Sequence, residues 1–202
     1  MKFQKLYKTL EKHKYFIFSY DDILSFYPNE KKENLKKMLF RWCKKGWIYR
    51  LKRGLYELNF PADFMIPDFY IANKLYNPSY ISLETALSDY SIIPEVSMAV
   101  TSITTKPTRR FKNKHGLFIY KTIQPKIFTG YCLEKQDNFN ILIAEPEKAF
   151  VDYLYFNNYP NKKVSLGNQR FDKEKLKSFK KKKLDKYARL YDLNLGEFYA
   201  NL

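Results

Sequence analysis

The chain has 202 residues, enough for one large domain or two small ones. A hydrophobic fraction of 45% and an aromatic fraction of 18% exclude wholesale disorder, and the longest apolar runs, such as Ile141–Ala144, are strand-sized rather than membrane-spanning. Thirty-seven Lys and Arg against 21 Asp and Glu leave a formal charge of +16, which favours a polyanionic partner and says nothing about fold.

Met1-Lys2-Phe3-Gln4-Lys5 opens straight into an amphipathic pattern, not the apolar stretch of a signal peptide. Phe3, Leu6, Tyr7 and Leu10 mark one face of a first helix, and Lys2, Lys5, Lys8 and Lys12 take the other. Tyr15-Phe16-Ile17-Phe18 is β-prone. Ser19, followed three residues later by Asp22, predicts a capped second helix with Ile23, Leu24 and Tyr27 on its apolar side, ended by Pro28. Asn29 is the expected N-cap of a third helix running to about Lys45. Leu35, Met38, Leu39, Trp42 and Cys43 form its buried stripe, with Cys43 read as a small hydrophobe. Asn34, Lys37, Arg41 and Lys44 take the opposite side, and Lys31, Lys32 and Lys36 lie near the first turns. Gly46 is placed to stop that helix. Trp47–Leu51 and Leu55–Leu58 then read as strands around a Lys52-Arg53-Gly54 turn.

Helix, strand, helix, helix and hairpin, in that order, predict a winged helix-turn-helix over residues 1–60. Its third helix would enter the major groove, with the hairpin tip beside a phosphate or in the minor groove. The candidate DNA contacts are Lys31, Lys32, Asn34, Lys36, Lys37, Arg41, Arg50, Lys52 and Arg53. Residues 1–60 hold 15 basic and 6 acidic side chains, net +9, against 22 and 15, net +7, in the remaining 142. A/T-rich codon usage accounts for part of the lysine excess but would not concentrate charge at one end. The alternatives are a merely solvated lysine face, or a module that docks protein. Glu30 and Glu33 count against dense phosphate contact.

Beyond a Pro61–Pro67 connection, with the boundary near 59–66, a second domain over 61–202 is expected. Asp68 to about Tyr76 reads as a helix, Asn77-Pro78-Ser79 as a turn, and Ser82 as the cap of a helix carrying Leu83, Ala86 and Leu87. Met98–Thr104 and Leu117–Ile123 read as strands separated by a basic loop from Lys106 to Gly116 that contains Arg109 and Arg110. Phe139–Ala144 is a further strand, and Pro146 opens a helix with Ala149, Phe150, Tyr153 and Leu154 inward. Composition shifts after Asn161, and residues 172–190 read as one or two amphipathic helices. The run Lys180, Lys181, Lys182, Lys183 there is either a solvated face or a secondary nucleic-acid or acidic-partner surface. The fold class is therefore α+β: the N-terminal module, then a mixed α/β domain with a helical C-terminal segment.

Tyr80-Ile81-Ser82-Leu83-Glu84-Thr85-Ala86-Leu87, Ile93-Pro94-Glu95 and Thr101-Ser102-Ile103-Thr104-Thr105 occur in that order. Arg109-Arg110-Phe111, Gly116-Leu117-Phe118-Ile119-Tyr120, Phe128-Thr129-Gly130-Tyr131 and the stretch from Ile143 to Tyr155 follow. Together with Lys45-Gly46-Trp47-Ile48 and Arg53-Gly54-Leu55-Tyr56, this series resembles the AbiEi family of type IV antitoxins over roughly residues 10–160. The last forty residues match only in being helical and basic. The resemblance implies a cytoplasmic antitoxin whose winged helix binds inverted repeats of its own operator and represses the operon. Its C-terminal domain would counter a cognate nucleotidyltransferase-like toxin. Arg109-Arg110 and Glu145-Pro146-Glu147-Lys148 are either partner-recognition surfaces or signatures of the fold.

Catalytic constellations are thin. His13 and His115 have no cysteine or carboxylate at metal-ligand spacing, the six glycines are scattered, and no Gly-x-Ser-x-Gly elbow occurs. Asp137 with Glu145-Pro146-Glu147-Lys148 comes nearest to a nuclease pattern, but Lys148 directly follows Glu147 and Pro146 spoils central pairing. No enzyme, metal or cofactor is expected. Two cysteines, Cys43 and Cys132, suit a reduced compartment. No heptad seam is present, so the chain is expected to be a monomer or weak dimer that pairs on DNA. A regulator without a toxin, including one that senses a small ligand, and a toxin-docking protein that does not bind DNA stand as alternatives.

Overall fold

Ten residues with apolar side chains on one face and lysines on the other wind into α1 (Phe3–Lys12), which buries Leu6 and Leu10 completely. The structure is a computed structural model describing residues 1–59, 65–158 and 170–200. The chain divides into two units, Met1–Pro67 with Lys112–His115, and Asp68–Phe111 with Gly116–Leu202. The expected boundary near 59–66 falls mostly on residues 60–64, and the composition shift after Asn161 on 159–169, both outside the described residues.

In the first unit, β1 (Ile17–Ser19) leads into α2 (Tyr20–Phe26). Ser19 forms the expected capping box: Asp22 N–H donates to Ser19 Oγ at 3.2 Å, and Ser19 N–H donates to Asp22 Oδ2 at 2.6 Å. Next, α3 runs Lys32–Lys44, so its start corrects the expectation at Asn29. Pro28 and Asn29 belong instead to a turn closed by Glu30 N–H on the Tyr27 carbonyl at 3.1 Å. The chain is extended at Lys31, which takes the cap position without a side-chain bond. At the other end Gly46, at φ +68°, closes the helix. Its N–H bonds the Cys43 carbonyl, and Trp47 N–H bonds that of Trp42, each at 3.0 Å. The hairpin is completed by β2 (Ile48–Lys52) and β3 (Leu55–Leu58), with Gly54 at φ +80° in the turn and a bulge between Arg50 and Lys52. The sheet order is β1-β3-β2, antiparallel throughout. Leu6, Leu10, Phe18, Ile23, Leu35, Leu39, Ile48 and Leu58 form the core beneath it. Glu57, buried on β3, is paired within this unit to Lys114 Nζ at 3.0 Å and His115 Nε2 at 2.7 Å.

The second unit begins with α4 (Asp68–Leu75), β4 (Ser79–Ile81) and α5 (Leu83–Asp89), then β5 (Ala99–Thr104). The basic stretch expected to be a loop forms the strand β6 (Arg109–Asn113) beside β7 (Gly116–Thr122). Exposed and half-buried residues alternate along most of β6, as on an edge strand with one wet face, and the cations obscure that pattern in the sequence. After β8 (Tyr131–Gln136) and β9 (Phe139–Ala144) come α6 (Pro146–Asn158), α7 (Lys173–Lys177), α8 (Lys181–Leu190) and α9 (Gly196–Ala200). Strand β8 and helix α9 carry little sequence signal, since β8 has four consecutive exposed residues and α9 only five in all.

The sheet order is β6-β7-β5-β4-β9-β8, with β5–β7 and β4–β9 parallel and β4–β5 and β8–β9 antiparallel. Helix α4 is tied to this sheet by Tyr120 Oη, which donates to the Ala72 carbonyl at 2.6 Å, and by Asn73, whose amide bonds both backbone groups of Leu142. Helix α6 packs between α5 and α8 and is buried from Glu147 to Leu154, as a helix enclosed on all sides must be. The molecule is thus α+β, with nine α-helices and two sheets among the described residues.

Candidate nucleic-acid interface

Helix α3 pins one side to the core through Leu35, Met38, Leu39 and Trp42, which forces the remaining arc outward. Lys36, Lys37, Arg41, Lys44 and Asn34 all lie exposed on that arc, together with Glu33. No ion pair engages Lys36, Lys37 or Arg41 among the described residues, so their charge faces solvent, as does the exposed amide of Asn34. Lys32 is less available: its Nζ lies 3.7 Å from Asp21 and 6.0 Å from the Tyr20 ring centre. That ion pair is solvent-exposed and worth little. Lys31 sits exposed just ahead of the helix.

On the hairpin, Arg50 and Arg53 are exposed and Lys52 is half-buried. Arg50 Nε donates to the Lys52 carbonyl at 3.4 Å, so its guanidinium lies back along the strand. Burial raises the Cys43 thiol above its ordinary value, with Arg50 opposing, which suits the expected role of a small hydrophobe.

Sequence reasoning missed Phe40. It lies 61% exposed in the middle of the cationic arc, with Lys44 Nζ 4.8 Å from its ring centre. A large aromatic placed between Lys36, Lys37 and Lys44 departs from the buried stripe, and that departure was the available signal.

In the second unit three of the resemblance-bearing motifs, Tyr80–Leu87, Phe128–Tyr131 and Ile143–Tyr155, meet in one buried cluster. Asp152, fully buried, accepts from Tyr80 Oη at 3.1 Å and Ser82 Oγ at 2.7 Å, and also pairs with Lys148 Nζ and Tyr191 Oη. Lys148 donates a second bond to Tyr191 Oη at 2.9 Å. Burial lowers the Lys148 ammonium below the usual lysine value, while Asp152 opposes that shift. The expectation that Ser82 caps α5 is corrected here: its hydroxyl is taken by Asp152, leaving the N-cap without a side-chain bond. Tyr80 stacks on Tyr131 at 4.8 Å and lies 5.1 Å from Phe128. Gly130 sits at φ +78°, where an added Cβ would come within 2.7 Å of the Tyr187 ring and 3.0 Å of Lys148. Thr85 and Thr101 bond each other's backbone and hydroxyl groups and so stitch α5 to β5.

Of the second candidate surface, Arg109 and Arg110 are exposed on β6, with Arg109 placed 5.7 Å from the Tyr76 ring centre. The lysine run divides. Lys180 gives its backbone N–H to Glu147 at 2.9 Å, Lys181 lies 4.8 Å from the Tyr199 ring centre, and Lys183 pairs with Glu145 at 2.8 Å. Lys182 is exposed. Asp137 occupies the β8–β9 turn while Glu147 and Lys148 are buried on α6, so the Glu145–Lys148 stretch organises packing.

Glu145 is the titratable hinge of that packing. Desolvation alone would raise its carboxyl, but bonds from Lys183 and from Tyr187 Oη at 2.7 Å hold it below the usual carboxylate range. A carboxylate depressed in the folded state stabilises above its unfolded value and loses that contribution as pH falls through the folded one. Glu145→Gln is therefore expected to flatten the fall of urea stability on the acid side of the ordinary glutamate range, and an unchanged acid limb would show that these bonds carry no linkage. Comparison with known proteins returns no family model that matches the chain and no matching curated protein.

Proposed function

We propose that the chain is a non-enzymatic, sequence-specific DNA-binding regulator that acts as the antitoxin of a two-gene operon. In this reading the first unit is a winged helix-turn-helix, with α3 as the reading helix and the β2–β3 turn as the wing. The observation that carries it is the exposed set Asn34, Lys36, Lys37 and Arg41 on α3, whose three cations have no ion pair among the described residues, in a unit where the charge is densest. Such side chains neutralise phosphates and bond base edges. Arg53 at the turn extends the same chemistry to a neighbouring phosphate. The antitoxin role rests on the motif resemblance alone. Its second unit would meet a nucleotidyltransferase-like toxin, and operator half-sites would pair two copies on DNA.

Lys37→Ala and Arg41→Ala, both exposed, are expected to leave the circular dichroism spectrum unchanged. Each should weaken binding to an upstream inverted repeat by about tenfold, the size of one charge-assisted contact. Parental affinity in both variants would remove α3 as the reader. Loss of toxin resistance in cells that express the partner gene alone, restored by this chain, tests the antitoxin half.

A further inference from the structure

The first unit also contains an open cleft of about 620 Å³, walled by Met1, Phe3, Met38, Trp42 and Trp47 and rimmed by Lys2, Gln4, Arg41 and Lys45. That size falls within the range of small-molecule sites. Its walls are aromatic: Phe3 lies 4.7 Å from the Trp47 ring and 5.3 Å from that of Trp42. Its rim is cationic, with Lys45 Nζ 4.6 Å from the Trp47 ring centre, and no carboxylate is among the lining residues. Trp47 is 39% exposed, so part of its ring remains open to the cleft.

We infer that this cleft binds a small molecule made of a planar aromatic ring bearing an anionic group. The ring packs offset or edge-on against the exposed part of Trp47 and Phe3, the arrangements that ring quadrupoles favour. The anion meets the exposed cations Lys2, Arg41 and Lys45 at the mouth of the cleft. A neutral ring leaves those cations without a counter-charge, and an anion without a ring leaves the aromatic wall wet. Both halves of the ligand are therefore needed. Arg41 belongs both to this rim and to the cationic arc of α3. An aromatic carboxylate and a mononucleotide share the required chemistry.

The chain's two tryptophans both line the cleft, and the exposed one, Trp47, gives an indole N–H resonance that reports on it. The full chain, free of DNA, is titrated with salicylate, adenosine monophosphate, benzyl alcohol and acetate at one ionic strength. Salicylate, adenosine monophosphate or both should shift the Trp47 resonance saturably, while benzyl alcohol and acetate leave it in place. The more tightly bound of the first two identifies the source of the ligand. Lys45→Ala, an exposed change, should weaken the bound probe by about tenfold. The proposal is overturned if none of the four shifts either resonance, if the controls act like the aromatic anions, or if Lys45→Ala binds as tightly as the parent. Duplex binding enters none of these readings, so this result and the DNA-binding result fail independently.

Discussion

Raising monovalent salt fourfold is expected to weaken duplex binding by the full chain roughly 150- to 1,800-fold, if about four to six phosphates are neutralised per protomer at about 0.9 in logarithmic slope each. The cause is counterion release. Each exposed cation that meets a phosphate frees an ion into solution, and that gain shrinks as bulk salt rises. The side chains available for this are Lys31, Lys36, Lys37, Arg41 and Arg53, with Lys32 and Arg50 reached after they leave their present partners. Operator binding measured at several salt concentrations gives the slope directly. A flat response would reject phosphate contact as the source of affinity. Arg41→Ala should shorten the slope by about one contact if it meets a phosphate, and leave it unchanged while relaxing base preference if it reads a base.

The second large effect concerns stability. Asp152→Ala strands the Lys148 ammonium in a site where both side chains are fully buried, and deprives Tyr80, Ser82 and Tyr191 of a shared acceptor. Removing one partner of a buried ion pair costs about 3–5 kcal/mol, because the other charge stays desolvated and unpaired. A urea titration of the variant should show that loss against the parent, and a loss below about 1 kcal/mol would mean that water reaches the pair. The double variant Lys148→Met with Asp152→Leu separates pairing from packing. It should recover the part of the loss that comes from the stranded ammonium, since no buried charge is left behind, while the hydroxyls of Tyr80, Ser82 and Tyr191 still lack Asp152 as acceptor. Gly130 itself cannot accept a side chain beside this pair, because at φ +78° an added Cβ would come within 2.7 Å of the Tyr187 ring and 3.0 Å of Lys148.

The first sixty residues were legible because their signals are local. Ser19 and Asp22 cap across three positions, Gly46 closes α3 within two residues, and the stripe Leu35, Met38, Leu39, Trp42 repeats at helical spacing. The one local error, Asn29 as cap, arose because a turn to Tyr27 competes for the same few residues. The lysine run shows the opposite case. Its charge left a solvated face and a partner surface as alternatives, and neither reading foresaw that Glu145 and Glu147 take Lys183 and the Lys180 backbone, from more than thirty positions away in sequence. Phe40 escaped notice because it breaks the amphipathic pattern on the exposed side, where propensity is silent.

The order of elements in the N-terminal module, the cap of α2, the glycine stop of α3 and the concentration of cations there were determined by the sequence alone, since each depends on neighbours within a turn or on composition. Tertiary structure decided which polar residues of the motifs are buried and which aromatic side chains wall the cleft. Asp152 finds Ser82 and Tyr80 at separations of 70 and 72 residues, and no periodicity encodes a partner at that distance. Burial of a charge is tolerated only where several such distant groups arrive together, and that condition exists in the folded chain and nowhere in its pattern.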